Sequence, residues 1–281
     1  MTTKTYGEVL FWASSFLNEK KKEREAAEYL LGRRLGWNKT EVLMHLRKPM
    51  PMEQEAQFIE DIKAFEAGYP AQYIIGSEEF YGREFNVTPA TLIPRPETEE
   101  LIELCLKNNQ EKEFITVVDV GTGTGIIAIT LKKLKPTWRV IAIDISEEAL
   151  EVARQNAQKH QVSIEFMQGD LLGSLVEADE TVDIVISNPP YISEDEWEDM
   201  DESVREYEPK QALFADNNGL LCYEQMIPQI KDVLAIEGRV YFEFGFKQGR
   251  AIQQLYQEAF TTKKVMIYQD LNGQDRMLEM K

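Results

Sequence analysis

The segment ITVVDVGTGTG, residues 115–125, is the most informative part of the sequence about the fold. An apolar run at residues 115–120 leads directly into Gly121, Gly123 and Gly125, with Thr122 and Thr124 between them. In an open parallel sheet, a glycine turn at the carboxyl end of the first strand lets the backbone approach a nucleotide-like ligand closely. The stretch therefore predicts a Rossmann-like sheet with a cofactor at this strand end.

Short apolar segments alternate with longer helical ones from residue 113 onward. The first five predicted strands are separated by segments long enough for crossover helices, which implies a parallel sheet covered on both faces. The last two are joined by only five residues, so they form an antiparallel pair. The predicted fold class is α/β, with a seven-stranded Rossmann-like sheet that is mostly parallel and ends in an antiparallel strand. The predicted strands are residues 115–120, 140–144, 164–168, 183–187, 240–244, 264–270 and 276–280.

The first 70 residues have a different pattern. Apolar residues such as Val9, Trp12 and Phe16 recur there at helical spacing, which predicts a small helical bundle with these residues in its core. Residues 72–88 instead carry aromatic and β-branched residues broken by glycines, which favours a β-hairpin. We therefore predict an N-terminal helical, substrate-docking domain at 1–71, a linking β-hairpin at 72–90 and the α/β domain at 91–281.

Composition narrows the possible functions. Lys and Arg number 31 against 49 Asp and Glu, a net charge of −18, and all but two of those excess negative charges fall in residues 86–281. Such a charge provides no general attraction to nucleic acid phosphates. The only histidines are His45 and His160, which disfavours a histidine-based metal site or a Ser-His-Asp triad. Two isolated cysteines, with no signal-peptide pattern and no apolar run of membrane-spanning length, predict a cytoplasmic protein.

The spacing of the glycines disfavours a dinucleotide. The dehydrogenase fingerprint GxGxxG requires a glycine at position 126, which is Ile126 here. The turn is therefore GxGxG, which fits another nucleotide-like cofactor. Asp119, two residues before the first glycine, either orders the loop or reaches the ammonium group of a methionine moiety.

Acidic residues end the next two predicted strands. Asp144 lies nineteen residues after Gly125, where a carboxylate can accept hydrogen bonds from both ribose hydroxyls. Asp170 can accept a hydrogen bond from an adenine amino group, and Leu171 can pack on the purine face. Three strand-end acids in register favour ligand binding over simple turn or helix caps.

The tetrapeptide Asn188-Pro189-Pro190-Tyr191 follows another predicted strand. An amide or exocyclic amine is a poor nucleophile because its lone pair is delocalised, and accepting both of its N–H groups fixes its plane. The side-chain carbonyl of Asn188 and the backbone carbonyl of Pro189 offer two such acceptors, and prolines add no competing donor. The ring of Tyr191 can lie against the flat group. With a cofactor at the glycine turn, this predicts an S-adenosylmethionine-dependent N-methyltransferase, with Asn188 also bordering the cofactor.

The tetrapeptide resembles that of amino-methyltransferases acting on adenine, cytosine, guanine or glutamine nitrogens. Further segments resemble the release factor glutamine methyltransferases, the HemK/PrmC family, over residue 70 to the end of the chain. One departure is ADNN at 215–218, where a glycine is expected after Phe214. The segments are PAQYIIG (70–76), FYG (80–82), LIPRPETE (92–99), YEP (207–209), ALF (212–214), GL (219–220) and EFG (243–245).

This resemblance implies methylation, by S-adenosylmethionine, of the glutamine side chain in the Gly-Gly-Gln loop of peptide-chain release factors. From composition and charge we also expect a protein that uses no metal and binds neither nucleic acid directly nor a membrane, and we expect a monomer. Two alternatives stay open. An N6-adenine DNA or ribosomal RNA methyltransferase would use the same tetrapeptide but would need Lys and Arg to hold the nucleic acid backbone. A non-catalytic adaptor would not need an intact Asn188.

Overall fold

The computed structural model describes residues 4–281, apart from the side chain of Asp199, and contacts divide these residues into two units. The first unit comprises the described residues up to Ser77 together with Asp201–Tyr207. The second comprises Glu78–Met200 and Glu208–Lys281. Within residues 4–281, no helix has both the length and the apolar content needed to cross a membrane.

The first unit is helical, as predicted. Capping boxes begin two of its helices: Thr5 pairs with Glu8 at the start of α1, and Asn38 pairs with Glu41 at the start of α3. The apolar stripes meet in one core, but Trp12 is 39% exposed, so its predicted place in that core is wrong. The helices are α1 (Tyr6–Glu19), α2 (Ala26–Leu35), α3 (Lys39–His45), α4 (Met52–Glu66), α5 (Ala71–Ile75) and, from the later segment, α10 (Glu202–Tyr207).

The predicted hairpin begins later in the chain than expected. Its strands are β1 (Ser77–Phe80) and β2 (Arg83–Asn86), whereas residues 72–75 lie in helix α5. Pro70 precedes that helix and Gly76 ends it in a left-handed conformation with φ +82°. The buried side chains of Ala71 and Tyr73 override the strand preference of the adjoining isoleucines. The contact boundary between the two units accordingly lies at Ser77, and not at residue 71.

The second unit is built on the predicted seven-stranded sheet, with strand order β5-β4-β3-β6-β7-β9-β8. The first five strands pair in parallel, and β9 pairs antiparallel with both β7 and β8, so the predicted fold class is confirmed. The strands are β3 (Thr116–Val120), β4 (Arg139–Asp144), β5 (Glu165–Gln168), β6 (Val182–Ser187), β7 (Leu234–Glu243), β8 (Val265–Gln269) and β9 (Asp275–Met280).

Alternate residues of each strand point to opposite faces of this sheet, so both faces carry apolar side chains, and helices cover both. In β3, Val118 and Val120 enter one buried cluster, while Val117 enters the other. A 3₁₀ helix occupies Glu194–Asp199. The α-helices of the unit are α6 (Glu97–Asn108), α7 (Ile126–Leu134), α8 (Glu147–Lys159), α9 (Gly173–Glu177), α11 (Lys210–Leu213), α12 (Asp216–Gly219), α13 (Leu221–Val233) and α14 (Gly249–Ala259).

Residues 215–218 depart from the family pattern, in which a glycine is expected after Phe214. Ala215 takes that place without backbone strain. Ala215 has φ −135° and ψ 142°, an extended conformation that requires no glycine. Asn217 and Asn218 then adopt left-handed conformations with φ of 55° and 57°. Asparagine tolerates the left-handed region better than most residues, so the backbone can turn through these two positions before Gly219.

Candidate active site

The glycine turn and the Asn-Pro-Pro-Tyr segment follow neighbouring strands. β3 and β6 pair in parallel with Val120 opposite Ser187, and the Ser187 hydroxyl donates to the Val120 carbonyl oxygen at 2.6 Å. The strand order reverses between these two strands, which is where open α/β sheets bind ligands. A cavity of about 420 Å³ opens there, and all of its lining residues belong to the second unit.

The three glycines of the turn have positive φ, but space is limiting at only one of them. At Gly125 a Cβ would lie 2.9 Å from Ile129 Cδ1 and 3.2 Å from Ala153 Cβ, so this glycine permits the packing of α7 against α8. At Gly121 and Gly123 a Cβ would meet no atom within 4 Å, and both residues line the cavity. The turn therefore presents bare backbone to open space, as a bound cofactor requires.

Asp119 orders this turn. It is fully buried, and one carboxylate oxygen accepts hydrogen bonds from the Thr122 hydroxyl at 2.6 Å and the Ala128 backbone N–H at 3.2 Å. Its other oxygen has no partner among the described residues. Burial raises the pKa of Asp119 to about 7, against the opposing effect of these hydrogen bonds.

Asp144 lies at the end of β4 beside the turn. Its carboxylate accepts hydrogen bonds from the backbone N–H groups of Gly123 at 2.8 Å and Ser146 at 2.9 Å. Burial raises the pKa of Asp144, while the backbone donors lower it. Each oxygen retains accepting capacity, and the residue lines the cavity.

Asp170 and Leu171 line the cavity beyond the end of β5. Asp170 is exposed, whereas Leu171 is partly buried against the core and has φ +52°. Ile145, which follows Asp144, also lines the cavity and is 48% exposed, an apolar surface that the sequence analysis missed. The structure therefore brings the predicted cofactor residues to one cavity except for Gly125, which packs between α7 and α8, and Asp119, which is buried and bonded to Thr122. Their roles stay predictions.

Asn188 and Pro190 line the same cavity, whereas Pro189 and Tyr191 are not among its lining residues. The Tyr191 ring packs against the apolar core, and burial raises the pKa of its hydroxyl. The Tyr191 carbonyl accepts a hydrogen bond from Gln248 Nε2 at 2.8 Å. Tyr191 thus anchors the segment. Its predicted contact with a flat substrate group and the predicted acceptor role of the Pro189 carbonyl both stay predictions.

Two residues that the sequence analysis did not assign support Asn188 from behind. Its amide nitrogen donates to Thr98 Oγ1 at 3.1 Å, and that hydroxyl donates to Glu243 Oε2 at 2.7 Å. Both belong to segments that carry the family resemblance, LIPRPETE and EFG. The resemblance already marked those two segments, but they lie far along the chain from Asn188, so the sequence did not show that they contact it.

Glu208 holds the segment that borders the other side of the cavity. It is 5% exposed, accepts the Ile93 backbone N–H at 3.0 Å and pairs with Arg95 Nη2 at 2.5 Å. The LIPRP and YEP segments are therefore joined by a partly buried ion pair. Arg95 lines the cavity with its charge already neutralised by Glu208.

Comparisons with known proteins agree with this geometry. A family model described as the PrmC N-terminal domain matches residues 8–76, and one described as the Methyltransferase small domain matches residues 98–207. The release factor glutamine methyltransferase of Enterococcus faecalis is 54% identical over 274 residues, covering 98% of each chain. The protein of that name from Bacillus subtilis is 43% identical over 279 residues, covering 98% of this chain and 97% of its own.

Solved structures share the fold at much lower identity. A methyltransferase from Pyrococcus furiosus aligns with a TM-score of 0.54 and 18% identity, covering 81% of this chain and 96% of that one. The N-terminal domain of human METTL16 in complex with SAH aligns with a TM-score of 0.53 and 16% identity, covering 83% and 84%. These likenesses show the methyltransferase fold alone.

Proposed function

The chain belongs to the release factor glutamine methyltransferase family, and on that premise we propose that it methylates peptide-chain release factors. The methyl group is transferred from S-adenosylmethionine to the side-chain amide nitrogen, N5, of the glutamine in the Gly-Gly-Gln motif. This modification modulates translation termination, and we expect the enzyme to act in the cytoplasm. The observation that carries the proposal is Asn188, held at a cavity beside the glycine turn with its amide nitrogen already bonded.

The residues around the cavity fit S-adenosylmethionine. Gly121 and Gly123 leave open space beside the backbone, and Asp144 has oxygens able to accept the ribose hydroxyls. Leu171 and the exposed Ile145 offer apolar surface for the adenine ring. The cavity of about 420 Å³ lies within the range of small-molecule sites. When bound, the cofactor supplies an electrophilic methyl group on its sulfonium.

Positioning is the main contribution of the protein. The Asn188 side-chain carbonyl accepts one N–H of the target amide, and the Pro189 backbone carbonyl accepts the other. These acceptors hold the amide plane so that the nitrogen lone pair points at the methyl group. Well-oriented reacting groups can gain roughly 7–11 kcal/mol of barrier reduction. A dedicated base is unnecessary, because the nitrogen loses its proton readily once it becomes cationic.

Replacing Asp144 tests the cofactor assignment. We expect Asp144→Ala to weaken S-adenosylmethionine binding by roughly 1–3 kcal/mol, since hydrogen bonds to a charged group are lost. This corresponds to a rise in Kd of about 5-fold to 150-fold. Isothermal titration calorimetry measures it directly. Asp232→Ala, which removes the same charge from an exposed position outside the cavity, is the matched control. Equal affinities for Asp144→Ala and the control would remove Asp144 from the site.

Labelling tests the substrate. Purified enzyme and radiolabelled S-adenosylmethionine should label intact release factor, and a release factor whose Gly-Gly-Gln glutamine is changed to alanine should stay unlabelled. Duplex DNA and ribosomes, offered in parallel, should also stay unlabelled because the catalytic unit is strongly acidic. Equal labelling of the alanine variant would show that the target is assigned wrongly. Labelling of DNA or ribosomes alone would favour the adenine methyltransferase, and no labelling at all would favour the adaptor.

We propose further that the helical N-terminal unit docks the protein substrate. Its described surface includes four large apolar side chains that are more than half exposed: Phe11, Leu43, Met44 and Met52. Exposed apolar side chains contribute to protein interfaces. The same labelling assay tests this docking through KM, which should be lower for intact release factor than for a short peptide carrying the Gly-Gly-Gln loop. Equal KM values for the two substrates would argue against docking.

A further inference from the structure

Three hydrogen-bonded side chains connect the cavity to the buried interior of the second unit. Asn188 follows β6, Thr98 lies in the first turn of α6, and Glu243 ends β7. The Asn188 amide nitrogen lies 3.1 Å from Thr98 Oγ1, which lies 2.7 Å from Glu243 Oε2. Thr98 and Glu243 are each 1% exposed, so water does not compete for these bonds. Asn188 and Thr98 both line the cavity, whereas Glu243 does not.

The donor-to-acceptor direction of these two hydrogen bonds is set by the carboxylate at their buried end, Glu243. A carboxylate can only accept hydrogen bonds, so the single proton of the Thr98 hydroxyl is donated to Glu243. The Thr98 oxygen is then left to accept, and the only group of Asn188 able to donate is its amide nitrogen. The nitrogen is therefore turned inward. The carbonyl oxygen, which is nearly the same size, is left for the cavity.

We infer that Thr98 and Glu243 are positioning residues that fix which end of the Asn188 amide meets the substrate. The inference rests on the proposed function, in which Asn188 must accept an N–H of the target amide. A flipped Asn188 would present its own N–H groups to those of the glutamine, and two donors cannot bond. Without Thr98 and Glu243, the Asn188 amide can flip and can also tilt out of its fixed plane. Only one of these arrangements is productive, so the loss exceeds the roughly 2-fold that two equally populated orientations alone would give.

The surroundings of Glu243 suit this task. Burial disfavours the ionised form of Glu243, and Glu97 on α6 adds to this, whereas the Thr98 hydroxyl, Arg276 on β9 and the Asn188 side chain favour it. The phenols of Tyr191 and of Tyr223 on α13 also interact with Glu243 electrostatically. Burial is the largest of these effects and raises the pKa of Glu243 to about 7. Above that pH Glu243 accepts only; below it, a protonated Glu243 can donate to Thr98 and allow the reverse direction.

Substitution of Thr98 gives the decisive test. Thr98→Val removes the hydroxyl at nearly constant volume, and Thr98→Ser retains it. At pH 8 and saturating cofactor, Thr98→Val should lower the single-turnover rate about 10-fold to 100-fold. This loss is smaller than the loss expected when a polar group that contacts the reacting atoms is removed. Thr98→Ser should restore the rate to within about 3-fold, and the Kd for S-adenosylmethionine should change less than about 2-fold in either variant. Thr130→Val is the matched control, because Thr130 is fully buried and its hydroxyl has no partner among the described residues.

The pH profile separates positioning from simple structural support. The wild-type single-turnover rate should rise with pH through about 7 as Glu243 ionises, and Thr98→Val should lack that rise. Equal rates for the wild type and Thr98→Val, or the same pH rise in both, would overturn the inference. A wild-type enzyme that does not label release factor would instead contradict the proposed function. Thermal unfolding of each variant, compared with Thr130→Val, shows whether a lost rate reflects a lost fold.

Discussion

Asn188→Ala should lower the rate of methyl transfer by about 10²–10³, the usual loss when a preorganised polar group at a reacting centre is removed. The variant retains the Pro189 backbone carbonyl, so one acceptor for the target amide remains. With the second acceptor gone, the amide plane can rotate and its lone pair leaves the line to the methyl group. The loss should fall mainly on kcat, because the contact strengthens as positive charge develops on the nitrogen.

Asn188→Asp is the sharper comparison. A carboxylate at this position still accepts a hydrogen bond, so the variant should retain more activity than Asn188→Ala, although the added charge suits a neutral amide less well. Single-turnover rates with saturating cofactor decide the order, because saturation removes any effect of Asn188 on cofactor binding. An alanine variant as fast as the wild type would exclude the proposed pair of acceptors.

The sheet could be predicted from the sequence because its determinants are local. Each buried strand is a short apolar run, and the five residues between β8 and β9 leave no room for a crossover helix. Pairing of β3 with β6 then follows from the strand order of such folds, and it brings residues 121 and 188 to one edge. All of the predicted cofactor residues except Asp119 and Gly125 line one cavity for this reason.

Contacts between distant side chains could not be predicted in the same way. Thr98 and Glu243 are 145 positions apart, and nothing local in either segment shows that they meet. The helix at Ala71–Ile75 is a related case, since burial of Ala71 and Tyr73 outweighs the strand preference of the isoleucines. Residues 201–207 likewise group with the first unit only through contacts such as the hydrogen bond from the Tyr207 hydroxyl to the Ala67 carbonyl.

The Asn-Pro-Pro-Tyr segment depends on Gly219 for its position. Gly219 has φ +78°, and a Cβ there would lie 2.0 Å from the Tyr191 carbonyl oxygen and 2.4 Å from Gln248 Nε2. That carbonyl is the acceptor for Gln248, so relief of the overlap displaces either the Gly219 backbone or the Tyr191 backbone, which lies directly after Pro190. Gly219 therefore supports the reacting groups without contacting them.

Gly219→Ala should reduce both stability and rate. Left-handed strain accounts for about 1–2 kcal/mol of unfolding free energy. Forced repacking should add about 1–3 kcal/mol. A displacement of about 1 Å in the Asn188 segment should lower kcat by up to about 10². Gly273→Ala isolates the strain, because Gly273 has φ +77° and a Cβ there would meet nothing within 4 Å. The control should lose only the strain energy and keep its rate. Urea unfolding and single-turnover rates measure both variants at a temperature where each is folded. Equal losses of stability, with both rates unchanged, would mean that the Tyr191 carbonyl can move without disturbing Asn188.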